Sequence, residues 1–248
     1  MKIVAVYSAK GGVGKTATSV NLAYSAAQGG GRVLLCDMDS QGAASFYYRV
    51  KPKKKFNRSK LLSGAFYDYI RGTDYDGLDL LPAHFSFRNL DIAINDKDRK
   101  KNRIVLSRLL APLEDEYDYL ILDCPPNVTV LSENILTAAD CVAVPVVPTT
   151  LSLLALEQLL KLVKKVEAKK KKIVAFFSMV ERRKLMHTSI MNKYRDYPIF
   201  VQTYIPFLAE IEKMGIHRRP VGANPRTSAA AHAYDLLWQE IIERRLSR

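Results

Sequence analysis

The 248-residue chain holds only three cysteines, four histidines and 25 acidic residues, against 38 lysines and arginines. Each shortage removes a class of protein. Three cysteines cannot build the disulfide framework of a small secreted domain. Cys36, Cys124 and Cys141 all lie in or beside apolar, strand-like segments, where reduced core thiols of a cytoplasmic protein are expected. His84, His187, His217 and His232 show no ligand-like spacing with those cysteines, which argues against a metal site of the zinc type. Neither they nor Ser132 form a nucleophile triad pattern. No apolar run approaches the ~18 residues that a membrane-spanning helix needs. Met1-Lys2 leads directly into an apolar run, and a cleaved leader would carry off the loop behind it, so secretion is not expected.

The scarcity of acids leaves a net charge of +13 and an isoelectric point near 9.6. Such a surface draws polyanions through sequence-independent phosphate contacts. Charge that serves solubility alone needs neither this size nor clustering. Two clusters stand out: an exposed basic loop expected over 49–60, and a lysine-rich helix end over 161–172 that closes with Lys169 to Lys172. The second has an ordinary explanation as well, since cations at a helix C-terminus favour the helix dipole.

What is present in quantity is apolar sequence, 48 % of the chain, arranged as alternating strand-like and helix-like runs. Strands are expected at 3–7, 33–36, 78–81, 119–122, 141–147 and 173–178, with a late apolar run at 199–205. Helices are expected at 15–28, 86–94, 102–113, 131–138, 152–168, 186–195 and 227–245. Near-continuous apolar strands alternating with helices predict a parallel sheet buried on both faces and wound by right-handed crossovers. No linker or repeat divides the sequence, so residues 1–248 are read as one doubly wound α/β domain.

The first strand runs into Lys10-Gly11-Gly12-Val13-Gly14-Lys15-Thr16, with a helix expected straight after. A strand, a glycine-rich turn and a helix N-terminus together make a phosphate cradle: backbone N–H groups curl around the anion and the helix dipole adds positive potential. Gly11, Gly12, Val13, Gly14, Lys15, Thr16 and Ala17 are therefore the nucleotide-binding candidates. Lys15 is placed to reach the β- and γ-phosphates, and the Thr16 hydroxyl to ligate Mg²⁺. The strict P-loop has glycine where this chain has Ala9, and Lys10 is a second lysine at the mouth of the loop. Two acidic strand ends complete the pattern. Val33-Leu34-Leu35-Cys36-Asp37-Met38-Asp39 ends in two acids at i, i+2, a spacing that would place both on one strand face at the carboxyl edge of the sheet. Tyr119-Leu120-Ile121-Leu122-Asp123 has the form of a Walker B strand, which brings Asp123 near Mg²⁺.

These segments resemble the ParA/MinD family of deviant Walker A ATPases, and within it the ParA-type partition and positioning ATPases. Lys10 to Thr16 matches its KGGxGK[ST] motif, Asp37 to Gly42 its DxDxQG switch, and Asp123-Cys124-Pro125-Pro126 its DxPP switch. Residues 144–156, Ile205-Pro206-Phe207, Arg218-Arg219-Pro220-Val221 and the last helix also fit, so the likeness covers nearly the whole chain. The loops at 46–75 and 180–200 are least constrained by it. The resemblance implies a single P-loop NTPase domain with a mostly parallel central sheet, ATP and Mg²⁺ as cofactors, and hydrolysis of ATP to ADP and phosphate. It implies that Asp39 orients the attacking water, that Asp37 supports the Mg²⁺ shell, and that Pro206 and Phe207 lie against the adenine. It implies that Lys10 reaches across an ATP-dependent homodimer to the partner's phosphates, as an arginine finger does. Partners would be nonspecific DNA and a ParB-like or other cargo-adaptor protein that stimulates hydrolysis, in a cytoplasmic, nucleoid-associated setting.

Arg218 and Arg219 are the first candidate DNA contacts and Lys53, Lys54 and Lys55 the second, with plain solvated loops as the alternative for each. No helix-turn-helix precedes the P-loop, so operator-specific binding is not expected. The alternative class is a MinD-like membrane-associated ATPase, for which Leu236 to Leu246 would supply an amphipathic helix. That apolar stripe serves equally to dock a terminal helix on the domain. Iron–sulfur relatives need cysteines that bridge two subunits, and Cys124 has no suitable companion. Metabolic synthases and kinases with a P-loop are disfavoured by Lys10 and by the charge.

Overall fold

A computed structural model describes residues 1–52, 65–83, 104–166, 173–224 and 228–246. Its centre is a seven-stranded sheet in the order β3-β4-β2-β5-β1-β6-β7. The strands are β1 (Lys2–Val6), β2 (Val33–Asp37), β3 (Arg71–Gly72), β4 (Leu78–Leu81), β5 (Tyr119–Asp123), β6 (Cys141–Val146) and β7 (Ile173–Phe177). All pair in parallel except the two-residue β3, which runs antiparallel to β4. The expected single α/β domain with a mostly parallel, doubly wound sheet is what the chain forms.

Helices cover both faces because the strands are apolar on both. On one side lie α1 (Lys15–Gln28), the short α2 (Ala43–Tyr47) and α9 (Ala229–Ile241). Small residues along α1, Ala23, Ala26 and Ala27, let it sit close to the sheet, while Trp238 of α9 meets Tyr119 edge-on at 5.0 Å. On the other side lie α3 (Val105–Leu110), α4 (Val130–Ala138) and α5 (Thr150–Lys165), with α6 (Leu185–Tyr194) against their edge. Two four-residue helices, α7 (Ala209–Glu212) and α8 (Met214–His217), complete the described set.

The expected bounds of α1 and β4 coincide with those found. Several others move. The run at 199–205 does not form a strand: only isolated bridges join Phe200 to Ala175 and Pro206 to Val180. Pro206 has no N–H to continue a ladder. Among the described residues the helix expected at 102–113 is α3, ending early because Pro112 follows and the chain turns through a 3₁₀ segment at Ala111–Leu113. The last helix is regular to Ile241 and closes with a π turn over Ile242–Leu246. The expected helix at 86–94, His84, and Lys53 to Lys55 and Lys169 to Lys172 of the basic clusters lie outside the described residues.

Two helix ends depart from rule. After α2 the chain leaves through Arg49 at φ 58°, with Val50 N–H on Ser45 O and Arg49 N–H on Phe46 O. That pair of bonds is a Schellman motif. After α8 it leaves through Arg218 at φ 49°, with Arg218 N–H on Met214 O, the simpler left-handed cap. Glycine is the usual residue at both positions, and an arginine there costs about 1 kcal/mol.

Candidate nucleotide and cation site

Strand register assembles the site. Val6 of β1 and Asp37 of β2 both pair with Asp123 of β5, so the P-loop strand and both acids end level at the carboxyl edge. Ligands of open α/β sheets bind at that edge. α1 begins there, capped by Gly14 at φ 89°, a conformation open to glycine without strain. A Cβ at Gly14 would stand 3.1 Å from the Ser178 hydroxyl, so the loop is also pressed against the end of β7. α1 has no side-chain N-cap and no acid in its first turn. Its leading N–H groups and its positive dipole end face the loop, which suits an anion.

Lys15 is nearly buried and donates to the Lys10 carbonyl at 3.1 Å. Burial pushes its ammonium below the ordinary lysine range, against the pull of Asp123, Cys124 and Asp39. A charge held this way gains from an anionic partner. Lys10 turns elsewhere: its Nζ donates to Ser152 Oγ, 3.0 Å away, in the first turn of α5 of the same chain.

Asp37 and Asp123 are both fully buried. Asp37 Oδ2 accepts two bonds from Ser45, from the backbone N–H at 2.8 Å and from the hydroxyl at 2.7 Å. Asp123 Oδ1 accepts from the Ser19 hydroxyl at 2.9 Å, and the Thr16 hydroxyl also favours its charged form. The second oxygen of each acid, Asp37 Oδ1 and Asp123 Oδ2, is buried without a hydrogen-bond partner. Buried carboxylate oxygens rarely stay unpartnered. Two of them at the carboxyl edge that the P-loop leaves from, one on the acid that Thr16 reaches, fit a hard divalent cation that takes oxygen ligands and keeps part of its water. Asp37, Asp123 and Thr16 are the residues that would hold it, and it would supply charge neutralisation of the phosphate oxygens.

Asp39 departs from expectation. The strand stops at Asp37, so the alternation that would align the two acids on one face is lost. Asp39 is partly exposed, and its Oδ1 accepts the Gln41 N–H at 3.0 Å in the turn that leads through Gly42 to α2. It remains close enough for its charge to raise the carboxyls of both Asp37 and Asp123. Pro206 and Phe207 lie alongside Val180, two residues beyond Ser178, and Phe207 donates its N–H to the Val180 carbonyl at 3.0 Å. Phe207 is 41 % exposed. No sequence pattern points to Ser45, Ser152 or Ser178, or by itself to Ser19. Ser19 does follow Thr16 by one helical turn, so both hydroxyls share a face.

Burial pushes Asp37 up, offset in part by the Ser45 bonds. Burial and then the charge of Asp37 push Asp123 up. A carboxyl whose folded value lies above its unfolded value holds a proton in the fold that the open chain has lost. Stability of the cation-free protein therefore falls as pH rises from about 3.9, the ordinary aspartate value, toward neutrality. Asp123→Asn should flatten that slope and raise the thermal midpoint at pH 7.5, by roughly 2–4 °C for each kcal/mol in a chain of this size. Thermal denaturation in EDTA across pH checks this; an equal slope in the variant would contradict it.

Fold and site define a P-loop nucleoside triphosphatase of the deviant Walker A type, with a second lysine at the loop. The comparisons narrow the class. A profile described as an AAA domain matches residues 1–176. The chain is 31 % identical to the sporulation initiation inhibitor protein Soj of Bacillus subtilis over 249 residues, 97 % of this chain and 98 % of that one. It is 28 % identical to the chromosome partitioning protein ParA of Caulobacter vibrioides over 257 residues, 100 % of this chain and 96 % of that one. The chain belongs to the ParA/Soj family of partition and positioning ATPases. A plasmid partition protein from Borrelia burgdorferi bound to AMPPNP shares the fold, with a TM-score of 0.84 at 22 % identity over 98 % of both chains. So does a cobyrinic acid a,c-diamide synthase from Mycobacterium smegmatis with a bound ATP analogue and magnesium, with a TM-score of 0.81 at 26 % identity over 98 % of this chain and 94 % of that one. The fold by itself thus does not separate partition proteins from synthases.

Proposed function

We propose that this chain is an ATP- and Mg²⁺-dependent partition or positioning ATPase that dimerises with ATP, binds nonspecific DNA in that state and is released when an adaptor stimulates hydrolysis. The observation that carries the reading is the spare cation. Lys15 lies within the loop, and Lys10 stands at its mouth with its ammonium on the Ser152 hydroxyl. A synthase that works as a single P-loop subunit has no use for that second charge, whereas a sandwich dimer does. In this reading Asp39 orients the attacking water and Pro206 and Phe207 flank the base. The adaptor is a ParB-like or other cargo-bound protein, and the cellular setting is the nucleoid.

The membrane alternative loses its main support. The apolar stripe of α9 is occupied in the fold: Tyr234, Leu237, Trp238 and Ile241 are buried, and Leu246 of the following turn with them. Among the described residues no helix is long and apolar enough to cross a bilayer.

Duplex DNA of any sequence should bind with ATP and Mg²⁺ and not with ADP, because dimerisation doubles a basic face too weak in one copy. Log K should fall with log salt at about −0.9 per phosphate contact. Arg219→Glu should weaken binding alike on every sequence and leave ATP-driven dimerisation intact. Sedimentation with nucleotide, Mg²⁺ and DNA varied in one series tests this. Tight binding to anionic vesicles with none to DNA would replace the reading by the MinD-like one.

A further inference from the structure

Arg218 carries more than its charge. Its guanidinium lies over the Phe46 ring, 4.4 Å from the centroid, and its Nε donates to the Phe46 carbonyl at 3.0 Å. In return Arg49 donates from Nη2 to the His217 carbonyl at 3.0 Å. Each arginine sits in the left-handed cap of its own short helix and reaches across to a terminal carbonyl of the other. Each arginine thus adds a side-chain donor at the C-terminus of the other helix: His217 O receives Arg49, and Phe46 O takes Arg218 beside the Arg49 N–H it already accepts. Glycine would fit both backbones with less strain, and it could not make either bond.

The helix so held is α2, and α2 begins at the cation site. Ser45 grips Asp37 Oδ2 with two donors, accepts the Ala83 N–H on its hydroxyl at 2.9 Å, and offers its own carbonyl to Val50. With Oδ2 fixed by both bonds, Asp37 Oδ1 is the oxygen left free in the buried site. One side chain thus ties the end of β2, the end of β4 and the short helix into a single unit. Tyr48 anchors the far end of that unit by donating its hydroxyl to the Val20 carbonyl on α1 at 2.8 Å.

We propose that Ser45, Arg49 and Arg218 are positioning residues for the divalent cation: Ser45 aims Asp37 Oδ1, and the crossed arginines hold the helix that carries Ser45. The inference rests on the reading of this edge as a triphosphate and Mg²⁺ site. It gives Arg218 a task within one subunit, separate from any contact with DNA. In this proposal the three residues act through Asp37 and not on the phosphates, so their effect falls on the Mg²⁺ requirement and not on phosphate affinity as such.

The experiment is a Mg²⁺ titration of fluorescent ATP-analogue binding, in DNA-free buffer, with binding in EDTA as the reference. Ser45→Ala should raise the Mg²⁺ midpoint about tenfold, the size expected when a charge-assisted donor is lost. Ser45→Thr, which keeps the hydroxyl, should return it to within about twofold of the parent. Arg218→Gly removes the crossed contact while easing the backbone, and should raise the midpoint about threefold, with affinity in EDTA unchanged. The Arg218→Gly arm also guards against a Ser45 variant that fails to fold. A parent-like Mg²⁺ midpoint in variants that bind nucleotide overturns the proposal, even if Arg218→Gly loses DNA binding. A parent protein that binds no nucleotide at any Mg²⁺ concentration overturns the underlying site reading, and this proposal with it.

Discussion

Lys10→Ala protein should bind ATP as the parent does and hydrolyse it about 10³-fold more slowly, the lower end of what a trans-acting finger supplies. The structure explains the split. The side chain of Lys10 contributes no bond to the P-loop of its own subunit; it is the Lys10 carbonyl that receives Lys15. Its ammonium rests instead on Ser152, in the first turn of α5, where the helix dipole is positive and no acid compensates. A cation gains little at that end of a helix. One hydroxyl bond is a light tether, so in the proposed dimer Lys10 would readily exchange it for the partner's phosphates. Fluorescent-ATP titration and single-turnover phosphate release separate the two effects. Should Lys10→Ala monomers fail to bind nucleotide, the lysine belongs to its own subunit's site.

Lys15→Ala has the opposite signature. ATP affinity should fall by a factor of 10²–10³ or more, on the order of 3–5 kcal/mol, since a buried phosphate would lose its nearest cation. The fold should be kept, because the Lys15 ammonium donates to a backbone carbonyl and burial already works against its charge. The variant's thermal midpoint without nucleotide should equal or exceed the parent's, while the rise produced by ATP and Mg²⁺ disappears. Parent-like affinity in this variant would move the triphosphate away from the loop.

The features that could be read from sequence are those that local chemistry decides. The strands β1, β2 and β5 announce themselves as short apolar runs, the latter two ending at aspartate, and the loop after β1 has a spacing that few other structures require. Asp39 does lie near the other acids but not on their strand face, because periodicity says where a strand would point and not where it stops. The strand end at Asp37 depends on its pairing with Asp123, 86 residues away. α2 was missed for a similar reason. Five residues carry no usable period, and the left-handed residue that ends it is Arg49, where sequence reasoning looks for glycine. Arg218 shows the limit most plainly. From sequence it is half of a basic pair facing solvent; in the fold its guanidinium lies against an aromatic ring and a carbonyl. Nothing local distinguishes those two fates.

The thiols follow the acids in a way that bears on how the protein meets oxidants. Cys36 precedes Asp37, and Cys124 follows Asp123; both are buried, and burial raises both far above the usual thiol range. Cys141 on β6 is likewise pushed up to about 12. Peroxides and alkylating agents attack thiolates, so the native fold presents them with almost nothing. The chemical vulnerability of the phosphate edge is thereby tied to its mechanical opening: a thiol beside either acid becomes reactive only when that edge parts. Redox stress would strike the unfolding or newly made chain and pass over the working one.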